Sequence, residues 1–325
     1  MPQRNIKKCD KIDTMKIFIY IFIAVFLAPL PAEAADPIKP IPLSIKYDRK
    51  KAELGKILFM DPGLSSDKSV ACVSCHSFDH GGADPRPVSV GAHGKTGHVN
   101  APTVYNSYFN FRQFWNGRAK DLKEQARGPL HNPVEMAMDK AEIERYLGES
   151  GFYVETFRNV YGVAPTYENA LDAIAEFEKA LITPDCKFDR FLRKEVQLTA
   201  LEKRGYRLFK TLGCATCHNG INIGGNSFQK MGLIFPYPWK ESFPDRYHIT
   251  HSPVDKNVYK VPTLRNIELT APYFHDGSVP TLELALRKMA YHNLGFDLNA
   301  EEVEALTAFL KTLTGEPPTI IRESR

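Results

Sequence analysis

A chain of 325 residues, 43% hydrophobic and 11% aromatic, is long enough for two ordinary domains with their own cores. Its formal net charge is only +4, and residues 1–34 hold five Lys/Arg against three Asp/Glu, so the remainder sits near +2. That balance excludes a broad basic face for nucleic acid, while the 23 prolines point to long ordered loops.

The first element is IFIYIFIAVFLAPL (17–30), preceded by Lys16 and followed by PAEAAD. A basic flank, an apolar core and an A-x-A site at Ala32–Ala34 form a secretory signal peptide over 1–35, with Met15 as a natural start. The run is shorter than the roughly 20 residues of a spanning helix, so cleavage, export to a periplasm and no stable membrane insertion are expected.

GKILF (55–59) predicts a helix whose small Gly55 admits a neighbour closely, and Cys72-Val73-Ser74-Cys75-His76 follows. C-x-x-C-H is the attachment sequence of c-type haem: two thiols a turn apart bond the porphyrin, and the histidine ligates the iron. A redox dithiol would sit in a βαβ context, and zinc would need a second pair folded against the first. Next comes HGGADPRPVSVGAHGKTGHVN (80–100), whose glycines make a loop able to change shape. His80, His93 and His98 on it are candidate switchable iron ligands. Further on lie Gln125 and Glu135, an amide and a carboxylate of the kind that O–O cleavage needs over an open iron. An amphipathic helix over Tyr167–Leu181 ends before Thr183-Pro184 and closes a first unit, 36–183.

The plan then repeats in 184–325. Cys186 stands alone as an inert buried or interfacial thiol, with intermolecular pairing as the alternative, and the leader holds Cys9. A capping box, Thr199 with Glu202, opens a helix carrying GYRLF (205–209), before Cys214-Ala215-Thr216-Cys217-His218. Residues 233–262 lack a helical period and predict an ordered wrap. At an offset of 160 residues, NAPTVYN (100–106) matches KVPTLRN (260–266), FWNG (114–117) matches FHDG (274–277), and DKAEIERYL (139–147) matches NAEEVEALT (299–307). Met289, on a helix over 281–295, is the candidate sixth ligand opposite His218, which suits a high-potential electron store. The offset sets Pro129 opposite Met289, so the first iron has no such ligand. The fold class is therefore mainly α: two cytochrome c-like domains with long loops, each binding one haem.

The motifs ACVSCH, PVSVG, NAPTVYNSYFNFRQFWNGRAKDLKEQARGP, VEM, GCATCHNGINIGGNSFQKMG, VPTLRNIELTAPYFHDG and RKMAYHNLG resemble the bacterial di-haem cytochrome c peroxidases over about 35–320. The resemblance implies reduction of hydrogen peroxide to water with electrons from a small c-type cytochrome or cupredoxin, and a homodimer. It makes the N-terminal haem, on His76, the peroxide site, with Glu135 as acid/base and Gln125 as its companion. The C-terminal haem, on His218 and Met289, takes up electrons. It sets Trp115 between the haems as an electron relay. It also implies a calcium ion held by Asn100 and the carbonyl oxygens of Thr270 and Pro272. A loop histidine would occupy the resting peroxidatic iron. Where many members place it directly after Ser-x-Gly, this chain has Ala92, and His93 is the candidate, with His98 and His80 as alternatives. A relative that oxidises a protein residue, of the methylamine dehydrogenase maturation type, would need Tyr in place of Met289; Tyr291 is the nearest candidate. A non-catalytic electron carrier would leave Glu135 and Gln125 without a role.

Overall fold

The computed structural model describes residues 36–322, so the signal-peptide reading at 1–35 and Cys9 lie outside the described residues. From Pro37 onward the chain forms one compact unit. Its longer helices are α1 (Arg49–Phe59), α2 (Leu122–His131), α3 (Lys140–Glu149), α4 (Gly151–Tyr161), α5 (Tyr167–Ala180), α6 (Lys187–Leu192), α7 (Ala200–Thr211), α8 (Leu282–Met289) and α9 (Ala300–Lys311). A two-stranded antiparallel ribbon joins β1 (Phe228–Lys230) to β2 (Val258–Lys260). Among the described residues no helix is long and apolar enough to cross a membrane.

Local chemistry starts these helices where the sequence says. Asp48, Asp121, Thr166 and Thr281 each accept a backbone N–H in the first turn of α1, α2, α5 and α8. Reciprocal capping boxes open α3 (Asp139, Glu142), α7 (Thr199, Glu202) and α9 (Asn299, Glu302).

Two apolar cores result. One packs Leu54, Leu58 and Phe59 of α1 against Ile174 and Phe177 of α5. The other packs Tyr206 and Phe209 of α7 against Leu306 and Phe309 of α9. Each fully buried Phe or Leu contributes about 1.5–3 kcal/mol by area removed from water. A side chain on Gly55 would collide with the Ala173 carbonyl and the Phe177 Cβ; one on Gly205 would collide with the Ala305 carbonyl and the Phe309 Cβ. The two helix crossings are therefore copies of one another, each admitted by one glycine.

This corrects the repeat. The offset of 160 holds through α2 and α8, but α9 is the counterpart of α5, at an offset of 132, and not of the DKAEIERYL helix. Helices α3 and α4 are an insertion in the first half. Both candidate helices are amphipathic and capped, so periodicity alone could not separate them.

The halves are cross-tied. Ile38 belongs to the second core, while Ile320 and Ile321 belong to the first. Asn106 and Asn266, at equivalent positions with φ of +61° and +60°, both donate to the Thr183 hydroxyl, at 2.7 and 2.9 Å. Arg265, 1% exposed, forks onto Asp189 at 2.9 and 3.0 Å and also donates to the carbonyls of Lys39 and Ile221. Cys186 accepts the Asp189 N–H at the start of α6, and burial pushes its thiol up to about 11. It has the surroundings of an inert thiol.

Candidate haem centres and active site

One cavity of about 530 Å³ draws its walls from both halves of the chain. Cys72, Cys75 and His76 line it, and so do Cys214, Cys217 and His218. All four cysteines are free. Burial lowers the pKa of both histidines, His218 to about 4, so both imidazoles are neutral and able to ligate a metal. His76 Nδ1 lies 3.3 Å from the Gly82 carbonyl, and the buried His218 ring sits beside the backbone of Ile223 and Pro262. Free thiols, neutral imidazoles and apolar walls from Phe59, Ile174, Phe209 and Leu310 fit two covalently bound c-type haems.

Helices α2 and α8 present equivalent stripes to this cavity. Leu122, Gln125, Ala126 and Pro129 answer to Leu282, Ala285, Leu286 and Met289, each at i, i+3, i+4, i+7. The two sites differ at three of these four rungs. The first half has an amide, Gln125, opposite Ala285, the smaller Ala126 opposite Leu286, and Pro129 opposite the thioether of Met289. Sulfur is a soft iron ligand and proline offers none.

Glu135 follows α2 and also lines the cavity. Its carboxylate accepts from Asn132 Nδ2 at 2.6 Å. Burial raises its pKa, against the opposing pull of that hydrogen bond and the Arg118 charge. The Arg118 guanidinium stacks on the Phe114 ring at 3.4 Å. The glycine-rich loop leans on the same segment: Ala92 N–H donates to the Glu135 carbonyl at 2.7 Å, and a side chain on Gly91 would collide with the Val134 and Glu135 backbone.

The loop histidines separate. His93, at φ +58°, shares a 2.9 Å hydrogen bond with the Ser66 hydroxyl through Nε2, and its N–H donates to Asp67 at 2.6 Å. All three are exposed; His93 and His80 are absent from the cavity wall, whereas His98 is part of it.

In the second half, α8 runs into a π-helical turn, Ala290–Leu294. Met289 lines the cavity, while Tyr291 is 42% exposed and stacks on Phe235 at 4.6 Å. Asn100, Thr270 and Pro272 line the cavity together. Asn100 is buried and its amide donates to the Arg86 carbonyl at 2.9 Å. Among the described residues there is no cluster of three His, Cys, Asp or Glu suited to a metal. A cation at this trio would meet amide and carbonyl oxygens, a donor set that fits calcium.

Trp115 sits at the joint between the halves. Its indole N–H donates to the Asn100 carbonyl at 2.9 Å. Asn100 N–H donates to the His275 carbonyl at 2.8 Å, and Lys260 N–H to the Trp115 carbonyl at 2.7 Å. Since 100 pairs with 260 and 115 with 275 in the repeat, the contact is reciprocal, as in an isologous dimer interface. The predicted wrap at 233–262 is ordered around this point, with Tyr237, Phe243 and Tyr259 against His275.

Two buried charged residues escaped the sequence reading. Glu178, 4% exposed, lines the cavity, its Oε2 has no hydrogen-bond partner among the described residues, and burial pushes its carboxyl up to about 8. Its place one helical turn after Ile174 and two after Ala170 was the available signal. Lys260, 6% exposed, also lines the cavity. It could have been noticed as the residue matching Asn100.

Residues 49–197 match the family described as di-haem cytochrome c peroxidase, and residues 258–290 match a family described as RoxA-like, cytochrome c-like. The cytochrome c551 peroxidase of Nitrosomonas europaea is 46% identical over 297 residues, covering 91% of this chain and 89% of that protein. The cytochrome c551 peroxidase of Pseudomonas aeruginosa is 40% identical, covering 89% of this chain and 87% of its own. A crystal structure of a MauG-like protein associated with microbial copper homeostasis superposes with a TM-score of 0.76 at 30% identity, covering 89% of this chain and 95% of that one. With two C-x-x-C-H motifs facing one cavity and this likeness along nearly its whole length, the chain belongs to the di-haem cytochrome c peroxidase family.

Proposed function

We propose that the chain is an exported di-haem peroxidase that reduces hydrogen peroxide to water with two electrons from a small cytochrome c or cupredoxin. The observation that carries this reading is the asymmetry of two equivalent stripes: Gln125 and Pro129 beside Glu135 in one half, Ala285 and Met289 in the other. When bound, the haems supply reducing electrons and an iron that polarises peroxide. The residues do the rest. His76 and His218 would hold the two irons, and Met289 would be a further ligand of the second. Glu135 takes the proton from the inner peroxide oxygen and delivers it to the outer one, so that the leaving oxygen departs as water. Gln125 orients the two oxygens, and Trp115 bridges the joint as the electron relay. Asn100, Thr270 and Pro272 hold calcium there.

Tyr291 stacked on Phe235, away from the cavity, argues against a tyrosine-ligated enzyme that oxidises a protein residue. A carrier without catalysis would have no use for a buried carboxyl beside the ligand-poor site. The test is peroxide turnover with a reduced small cytochrome, with and without prior one-electron reduction of the enzyme. Turnover in at least one condition is expected, and none in either removes the peroxidase reading.

A further inference from the structure

Lys260 closes β2 inside the molecule. Among the described residues nothing pairs with its ammonium: burial alone acts on it, pushing its pKa down to about 8. A buried cation without a partner is costly, so its partner belongs in the space that it lines. That space is the haem cavity, and c-type haem carries two carboxylates.

The repeat sharpens the point. Lys260 is the counterpart of Asn100, and each donates its backbone N–H across the joint to the other half. Asn100 offers a neutral amide where a cation is expected to bind; Lys260 brings its own positive charge to the equivalent place. The segment from Lys260 onward is also laced to the chain just after Cys214–His218. Gly225 N–H donates to the Val261 carbonyl at 2.7 Å, Val261 N–H to Ser227 at 3.0 Å, and Leu264 N–H to Ile223 at 3.2 Å.

We propose that the Lys260 ammonium is a built-in counter-ion for a carboxylate of the haem attached through Cys214 and Cys217, and that it holds that haem's reduction potential up. A fixed positive charge beside a redox centre stabilises the reduced form, which carries one more electron. Lys260 is thus a positioning and tuning residue of the electron-accepting half. The inference rests on the presence of two haems and not on peroxide turnover.

The experiment is a spectroelectrochemical titration of calcium-loaded, two-haem protein: wild type, Lys260→Met and Lys260→Arg. The methionine variant should shift the reduction equilibrium of the second haem about tenfold toward the oxidised form, which is 59 mV for one electron. The arginine variant, which keeps the charge, should recover most of that shift. Should Lys260→Met fail to retain two haems, Lys260→Gln, which keeps a polar tip in the cavity, takes its place. Unchanged potentials in the neutral variant, or a shift confined to the haem on Cys72 and Cys75, overturn the proposal. A wild type without peroxide turnover, with the potential shift still seen in the neutral variant, would instead count against the peroxidase reading alone.

Discussion

Trp115 and His275 meet edge to face, with ring centroids 6.3 Å apart and planes 73° apart. They occupy equivalent places in the two repeats and touch because the repeats face each other across a pseudo-two-fold axis. Tyr259 stacks on His275 at 4.2 Å and meets Trp115 edge-on at 6.3 Å. An aromatic column therefore crosses the joint, and of its members the indole is the one held by a carbonyl of the first half. Replacing Trp115 with Phe should leave both haem spectra intact and slow electron transfer between the halves about tenfold, or about 1.4 kcal/mol in barrier. Stopped-flow reduction from the donor side measures this. An unchanged rate returns Trp115 to packing.

Glu135 is held above the ordinary glutamate value of 4.5 chiefly by burial. A proton acceptor works only when ionised, so activity should fall as pH drops through its raised pKa, at a pH where an exposed glutamate would still be charged. Glu135→Gln should lower turnover by about 10²–10⁴ at unchanged haem content and abolish that acid limb. Near-full activity in the variant takes Glu135 out of the mechanism.

The glycine-rich loop offers His98 to the cavity and ties His93 to Ser66 and Asp67. In the resting oxidised protein, His98→Ala should therefore change the low-spin EPR signature of the first haem, and His93→Ala should not. The opposite pattern would mean that the loop rearranges to bring His93 in.

Met289 lines the cavity and Tyr291 does not. Met289→Ala should lower the second haem's potential and change its absorption spectrum, while Tyr291→Phe should alter neither. A spectrum sensitive to Tyr291 alone would revive the tyrosine-ligated alternative.

Glu178 is a buried carboxyl raised to about 8 from 4.5. In the folded state it keeps its proton at neutral pH, whereas the unfolded chain has lost it. Its contribution to stability is therefore full below pH 4.5 and declines up to pH 8, by about 1.4 kcal/mol per pH unit. Denaturant titrations of the holoprotein across that window should show a shallower pH dependence for Glu178→Gln. Identical slopes would mean that the carboxyl has found a partner.

Much of this protein was legible in the chain alone. Both C-x-x-C-H motifs, the capping box at Thr199, the close-approach glycines and the 160-residue offset are local patterns, set by covalent spacing and backbone geometry. The stripe that ends in Met289 was legible for the same reason, since helical periodicity places i and i+7 on one face. Tertiary structure decided the rest. Whether α3 or α5 is the counterpart of α9 depends on which helix meets Gly55, and two amphipathic helices look alike until one is packed. His93 and His98 are five residues apart on one flexible loop, and only the anchors at Ser66 and Asp67 turn one of them away. The charge states of Glu178 and Lys260, and the meeting of Trp115 with His275, arise from burial and from a pairing of halves 160 residues apart. Desolvation and long-range contact are properties of the folded assembly, and no window of sequence contains them.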